Sequence, residues 1–324
     1  MNLAVILFLF FLGIILIVKG GDFFVDASSW IATVSGIPKL IIGATIVSLA
    51  TTMPEMLVSM MAALQGKVDM SIGNAVGSVT ANIGLIMAIS LFFMPGAIRR
   101  MDYLPKAALM MGAALMIVIA GFQGQVSIPM SILLLIIFVI FIFENINSAK
   151  HTLTAQSLDQ SAPKRSRPAR REITVNLIKF VLGAVGIVVG ADLLVDNGSV
   201  LARIIGVSER VIGVTIVAIG TSLPELVTTI TAVAKKQSSL SVGNILGANI
   251  LDLSLIMPLC AVVSGKPLPI AQASALADLP ACLLVGTIAI VPAMISSKFS
   301  RWQGVALLVV YLAYVIITCF FIGA

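Results

Sequence analysis

Long apolar runs joined by short polar segments make up most of this chain. Ten of the runs are long enough to cross a bilayer core about 30 Å thick. They lie near residues 1–18, 38–64, 70–95, 105–121, 127–147, 173–194, 210–234, 240–264, 270–295 and 302–323. Because lipid offers the backbone no hydrogen-bond partners, each run has to be helical. The pattern therefore predicts an all-α, polytopic membrane protein with ten transmembrane helices.

Two motifs occur twice, and both copies keep the same spacing along the chain. Residues 42–59 read IGATIVSLATTMPEMLVS, and residues 212–229 read IGVTIVAIGTSLPELVTT. Likewise SIGNAVGSVTANIGLIM at 71–87 matches SVGNILGANILDLSLIM at 241–257 without a gap. Chance similarity between two apolar helices would not keep glycine, asparagine, proline and glutamate in register. The chain is therefore predicted to be a duplicated unit.

The polar segment 148–172 separates two halves of five predicted helices each. It is rich in Ser, Pro, Arg and Lys, which predicts a flexible linker. Since five is an odd number, the second half has to enter the membrane from the opposite side. The sequence thus predicts two inverted-topology repeats, 1–147 and 173–324, with a ligand site near the bilayer midplane between them.

Composition and charge agree with a membrane protein. The chain is 59% hydrophobic and 10% charged, with a mean hydropathy of +1.13. Lysine and arginine concentrate in alternate loops, so the positive-inside rule predicts a cytoplasmic linker and an external amino terminus in the cell (inner) membrane. This asymmetry explains the net charge of +6 without a nucleic-acid partner. No nucleophile and base arrangement indicates an enzyme, and no cofactor is expected.

Two glutamates, Glu55 and Glu225, stand at equivalent positions inside the otherwise uncharged apolar runs 42–59 and 212–229. A carboxylate at the bilayer centre costs about 2.5 to 3.5 kcal/mol on insertion scales. No lysine or arginine lies near Glu55 or Glu225 in the same spans, so a cation or a proton has to neutralise them. Pro54 and Pro224 precede the glutamates and are expected to interrupt the helices and free backbone carbonyls. Neighbouring hydroxyls add neutral oxygens, from Thr51, Thr52, Thr221 and Ser222.

The second motif places further polar groups on one helix face. Residues spaced by four share a face, which groups Asn74 with Ser78 and Asn82, and Asn244 with Ala248 and Asp252. Glycines with the same spacing predict close approach of a neighbouring helix, at Gly73, Gly77, Gly243 and Gly247. A pocket lined only by hard oxygen suits Na+ or Ca2+. The spacing alone therefore predicts a cation site between the repeats.

The two motifs together resemble the alpha repeats of the sodium/calcium exchanger family, of the prokaryotic type, within the wider cation/calcium antiporter superfamily. The similarity covers about a third of the chain at motif level, and the helix count and duplication agree. The resemblance implies a secondary antiporter that exchanges Ca2+ for Na+ by alternating access. It also implies that the first and sixth helices, 1–18 and 173–194, slide across the core.

By the same resemblance, each candidate ligand has an expected role. Glu55 and Glu225 would bind Ca2+ and share the Na+ sites, and Thr51 and Thr221 would complete the Ca2+ shell. Na+ would be bound by backbone carbonyls and hydroxyls, from Ser48, Ala218, Thr52, Ser222 and Ser78. Asn82 and Asp252 would line the central position.

Several points stay open at this stage. Ala248 replaces a serine that is usual in the family, so the stoichiometry is not determined. Asp252 keeps K+ coupling as an alternative, H+ coupling of the same scaffold is another, and a passive cation channel is a third. Outside the site, Glu144 is expected to be solvated at the end of a span. The oligomeric state is not determined, although one chain would be sufficient.

Overall fold

This computed structural model describes residues 2–97, 100–158, 168–205, 220, 222–272 and 274–318, and these residues form ten helices. The helices are α1 Leu3–Ser35, α2 Lys39–Leu64, α3 Val68–Phe93, α4 Arg100–Phe122, α5 Ile128–Leu158, α6 Arg170–Ile204, α7 Leu223–Ala234, α8 Ser238–Ser264, α9 Ser274–Ser296 and α10 Arg301–Ile317. Eight of them are long and apolar enough to span a membrane, while α7 and α10 are shorter apolar helices. The predicted all-α membrane fold is therefore confirmed.

Two short antiparallel ribbons connect the halves of the chain. Strand β1 (Gly96–Ala97) pairs with β4 (Lys298–Phe299), with Gly96 opposite Phe299. Strand β2 (Gln125–Val126) pairs with β3 (Leu268–Pro269), with Gln125 opposite Pro269. Because β1 precedes α4 and β2 follows it, the ribbons lie at opposite ends of that helix. Each end of the helix bundle is thus held by backbone hydrogen bonds between the two halves.

The core is centred on α3 and α8. Within the spanning part of these helices, 72% of α3 and 83% of α8 is buried, compared with 17% for α1. Helices α1 and α6 instead pack mainly on each other. Glycines make this contact close, since a Cβ at Gly20 would lie 2.8 Å from the Ile187 nitrogen and one at Gly190 would lie 2.8 Å from the Gly13 oxygen. The motif-bearing helices are therefore enclosed, and the α1–α6 pair lies at the side.

Helices α1 and α6 are longer than the sequence predicted. They end at Ser35 and Ile204 rather than near residues 18 and 194. Two acidic residues in the extended part of α1 pair with Lys235, which follows α7. Its ammonium lies 3.1 Å from the carboxylate of Asp22 and 2.9 Å from that of Asp26.

The polar region after the first repeat also differs from the prediction. Helix α5 continues to Leu158, and α6 begins at Arg170, so both ends of the predicted 148–172 linker are helical, while 159–167 lie outside the described residues. The expectation that Glu144 is solvated is wrong. Its carboxylate lies 2.7 Å from the ammonium of Lys106, which is fully buried in α4, and it also accepts a hydrogen bond from Ser148. A buried lysine needs such a partner, and no local pattern identifies which acid provides it.

Candidate functional site

Glycines bring α8 directly against α2. A Cβ atom at Gly247 would lie 2.5 Å from the hydroxyl of Ser48, and one at Gly243 would lie 2.9 Å from the carbonyl carbon of Leu40. Both distances are shorter than ordinary contacts, so a larger side chain does not fit. The predicted close approach is confirmed for this glycine pair. At the two counterparts in the first repeat, Gly73 and Gly77, no described atom beyond their own part of α3 lies within 4 Å of the Cβ position.

Glu55 lies in α2 with none of its surface exposed. Its Oε1 atom accepts hydrogen bonds from the hydroxyls of Ser78, at 2.7 Å, and Ser222, at 2.8 Å. Ser78 belongs to α3, whereas Ser222 immediately precedes α7. The carboxylate therefore joins the two repeats. Its second oxygen, Oε2, has no hydrogen-bond partner, which is costly in the interior unless a cation or a proton meets it.

Glu225 occupies the corresponding position in the first turn of α7 and is equally buried. Its Oε1 atom accepts a hydrogen bond from the hydroxyl of Thr52, at 3.1 Å, and its Oε2 atom has no partner. Thr52 and Ser222 are counterparts in the duplicated motif. Each repeat thus donates a hydroxyl to the glutamate of the other, and each glutamate keeps one oxygen free.

Two further residues of the motif lie beside this pair of glutamates. The hydroxyl of Thr51 lies 3.2 Å from the side-chain oxygen of Asn244 and 3.3 Å from the carbonyl oxygen of Ser48. Ser48 is itself fully buried. The structure therefore places the predicted Thr51 hydroxyl and Ser48 carbonyl next to each other on α2, where α8 passes.

Asp252 adds a third buried carboxylate, and neither of its oxygens has a hydrogen-bond partner. It lies close enough to Glu55 and Glu225 for the carboxylates to repel one another when they are ionised. Within the described residues, no lysine or arginine pairs with any of the three. Nor do three acidic, histidine or cysteine side chains there converge closely enough to hold a metal ion by themselves. Hydroxyl, amide or carbonyl oxygens would therefore have to complete a cation shell.

The helices are locally widened at two matching positions. A π turn begins at Asn82 in α3 and covers Asn82–Met87, and another begins at Asp252 in α8 and covers Asp252–Ile256. Such turns insert one extra residue into the helix and often occur at functional sites. Asn82 and Asp252 are counterparts in the repeat, so both copies redirect the backbone at the residue expected to line the centre.

The prediction that Pro54 interrupts α2 is wrong. The α-helical part of α2 runs unbroken over Ser48–Leu64 with Pro54 inside it, and the irregular part is a π turn at Gly43–Val47. The missing N–H of proline removes one backbone bond without ending the helix, as neighbouring groups in membrane proteins often allow. In the second repeat, α7 begins at Leu223, so Pro224 lies in the first turn, where no N–H is needed.

The structure thus brings most of the predicted site residues into one buried region. Ala218 and Thr221 lie outside the described residues, so their predicted roles stay predictions. One buried amide, Asn249, was not singled out from the sequence. It lies three residues before Asp252, and its counterpart in the first repeat is the apolar Val79, so the duplication gave no signal for it.

Comparisons with known proteins identify the family. Residues 5–146 and 175–320 match the family described as sodium/calcium exchanger protein. The sodium/calcium exchanger MaX1 of Methanosarcina acetivorans is 30% identical over 94% of this chain and 96% of its own length. Inner membrane protein YrbG of Escherichia coli is 34% identical over 86% of each chain.

The fold agrees with this assignment. The solved structure of the sodium-calcium exchanger NCX_Mj, soaked with Na+ and Sr2+, superimposes with a TM-score of 0.79 and 27% identity. The match covers 96% of this chain and 98% of that one. Two matched segments separated by a short gap agree with the duplication seen in the sequence. The chain therefore belongs to the sodium/calcium exchanger protein family, whose members are transporters rather than enzymes.

Proposed function

We propose that this protein is a secondary antiporter that exchanges Ca2+ for Na+ across the membrane. The observation that carries the proposal is the pair of buried glutamates, Glu55 and Glu225. One oxygen of each glutamate accepts a hydrogen bond from a hydroxyl of the other repeat, and the second oxygen has no hydrogen-bond partner. Membership of the exchanger family and the likeness to NCX_Mj support the same ions.

Exchange follows from the charge of this site. One divalent ion or several monovalent ions can neutralise the carboxylates, but a small pocket cannot hold both sets at once. Competition becomes coupled exchange only if the protein cannot switch between outward-open and inward-open states while the site is empty. Leaving bare carboxylates buried in the membrane is costly, and this cost opposes the switch of the ion-free protein.

The residue roles follow from this proposal. Glu55 and Glu225 bind Ca2+ together with oxygens of Thr51 and Thr221. Na+ uses the carbonyls and hydroxyls of the same segments, from Ser48, Ala218, Thr52, Ser222 and Ser78. Asn82 and Asp252 line the central position, where the two π turns begin. Ala248 contributes no side-chain oxygen, so one Na+ position is expected to be weaker than in relatives that have a serine there.

The proposal includes an orientation in the membrane. The charge distribution supports an external amino terminus, a cytoplasmic region around residues 148–172, and location in the cell (inner) membrane. Residues 1–147 and 173–324 act as the two inverted repeats. Helices α1 and α6 form the moving pair, since they pack closely on each other and much of their surface faces outward from the protein.

The test is radiocalcium uptake into proteoliposomes loaded with Na+. Uptake should require the outward Na+ gradient, because the site carries Na+ out of the vesicle before it can carry Ca2+ in. Glu55→Gln and Glu225→Gln should each abolish uptake while the protein still elutes as a single folded species. Asp69→Asn removes an exposed acid at the start of α3 and serves as the matched control with uptake unchanged.

Each alternative gives a different result in this assay. Uptake that responds to an outward K+ or H+ gradient, but not to a Na+ gradient, would show that K+ or H+ is the coupling ion instead of Na+. Uptake that needs no counter-gradient would indicate a channel and would contradict antiport. Retained uptake in Glu55→Gln would show that the transported ion does not use this site.

A further inference from the structure

The buried amide of Asn249 forms a short chain of hydrogen bonds with two other helices. Its side-chain oxygen accepts a hydrogen bond from the Asn82 amide nitrogen at 3.1 Å. Its side-chain nitrogen donates to the sulfur of Met110 at 3.5 Å. Asn249 and Asn82 have no exposed surface, and Met110 is 1% exposed. The chain therefore runs from α4 through α8 to α3 without contact with solvent.

The sulfur of Met110 fixes the direction of this chain of hydrogen bonds. A thioether accepts hydrogen bonds but has no hydrogen to donate. The amide nitrogen of Asn249 can therefore face Met110 favourably, whereas its oxygen cannot. With the nitrogen directed to Met110, the oxygen of Asn249 faces Asn82 and has to meet a donor there. Only the amide nitrogen of Asn82 meets that requirement.

The consequence appears at the other atom of the Asn82 amide. Its oxygen, Oδ1, is buried and has no hydrogen-bond partner. If the Asn82 amide were reversed, its oxygen would face the oxygen of Asn249, and its N–H group would take the position where Oδ1 now has no partner. That group would repel a cation, whereas the oxygen attracts one.

We propose that Asn249 is a positioning residue that holds the Asn82 amide with its oxygen available to the transported cation. The inference rests on the proposed function, since it assigns Asn82 to the ion site. It adds a residue that touches neither the ion nor the glutamates and that belongs to one repeat only, because Val79 occupies the matching position in the other. Residues that orient a ligand commonly change metal affinity by about 10- to 100-fold.

The test compares Asn249→Leu in two backgrounds, by calorimetric titration of the purified protein with Ca2+. In the wild-type background, Asn249→Leu should weaken Ca2+ binding by about tenfold, since the Asn82 amide loses its fixed direction. In the Asn82→Asp background, both terminal atoms of side chain 82 are oxygens, so an oxygen faces the cation whichever way the side chain is turned. There Asn249→Leu should change the affinity by less than about twofold, or improve it, because it also removes an oxygen that faces the new carboxylate.

A merely structural role for Asn249 predicts a different pattern. Equal losses in both backgrounds, or no loss in the wild-type background, would overturn the inference. Met110→Leu, which keeps the volume and removes the acceptor, provides a second variant should Asn249→Leu not fold. It should weaken Ca2+ binding in the same direction by about two- to threefold, and unchanged binding would contradict the proposed direction of the chain. Absence of Ca2+ binding by the wild-type protein would instead refute the proposed function itself.

Discussion

Replacing Gly243 by alanine is expected to weaken Ca2+ binding although residue 243 carries no ligand. An alanine Cβ would lie 2.9 Å from the carbonyl carbon and 3.0 Å from the Cα of Leu40, and closer still to the carbonyl oxygen. These are backbone atoms of α2 that cannot rotate away. Restoring an ordinary contact of 3.4 Å requires α8 to move by at least 0.5 Å, the difference between 3.4 and 2.9 Å.

This displacement is large for an ion site. Coordination distances are defined to within about 0.2 Å, and α8 carries both Asn244 and Asp252. Overpacking of this kind costs about 1–3 kcal/mol, against which alanine recovers about 0.5–1 kcal/mol of helix propensity. We therefore expect a loss of stability and at least a tenfold weaker affinity for Ca2+, equivalent to about 1.4 kcal/mol.

The assay is Ca2+ titration of the purified variant together with its thermal unfolding. Gly112→Ala is the matched control, because a Cβ at Gly112 in α4 would meet no atom closer than the Ile137 Cδ1 at 4.0 Å. That control should bind Ca2+ like the wild type and be slightly more stable. Wild-type affinity and stability in Gly243→Ala would refute the reasoning, since they would show that α2 and α8 are not in close contact.

Three further changes test other parts of the structure. Glu144→Gln should lower the free energy of unfolding by about 3–5 kcal/mol, because it leaves the fully buried ammonium of Lys106 without its charged partner, and Lys106→Met with Glu144→Leu should recover most of it in thermal unfolding. Lys235→Gln should cost at most about 1 kcal/mol, since its partners are partly exposed. Burial lowers the pKa of Lys235, but its hydrogen bonds to Asp26 and Asp22 and the charges of these two acids together raise it by more, so the ion pair persists at neutral pH and is lost only above about pH 10.4. Ala248→Ser should raise the apparent affinity for Na+ by severalfold and steepen the Na+ dependence of radiocalcium uptake, by supplying the hydroxyl that this chain lacks.

Each of these has an outcome that would contradict it. A double variant at Lys106 and Glu144 as unstable as the single one would show that the lysine stabilises the fold by another contact. Loss of stability in wild-type protein between neutral pH and pH 9, absent from Lys235→Gln, would place the pKa of this lysine below its usual range. An unchanged Na+ dependence in Ala248→Ser would show that residue 248 does not face a Na+ position.

The sequence by itself determined the class of protein and the location of its site. Hydropathy and the repeated motifs can be read from the order of residues along the chain without any knowledge of packing, so they predicted a helical membrane protein with a duplicated unit. The cost of an isolated charge in lipid does not depend on the detailed fold, and it therefore identified Glu55 and Glu225. Spacing along a helix likewise grouped Ser78 with Asn82 before any packing was known.

Only the tertiary structure decided how these residues meet. Thr52 donates to Glu225, 173 positions along the chain, and Ser222 donates to Glu55, 167 positions away. The helix that continues through Pro54, the π turns, and the bond from Asn82 to Asn249 also depend on which helices pack together. Local patterns cannot give such contacts, because their free energy comes from groups that approach one another only after the two halves of the chain have folded against each other.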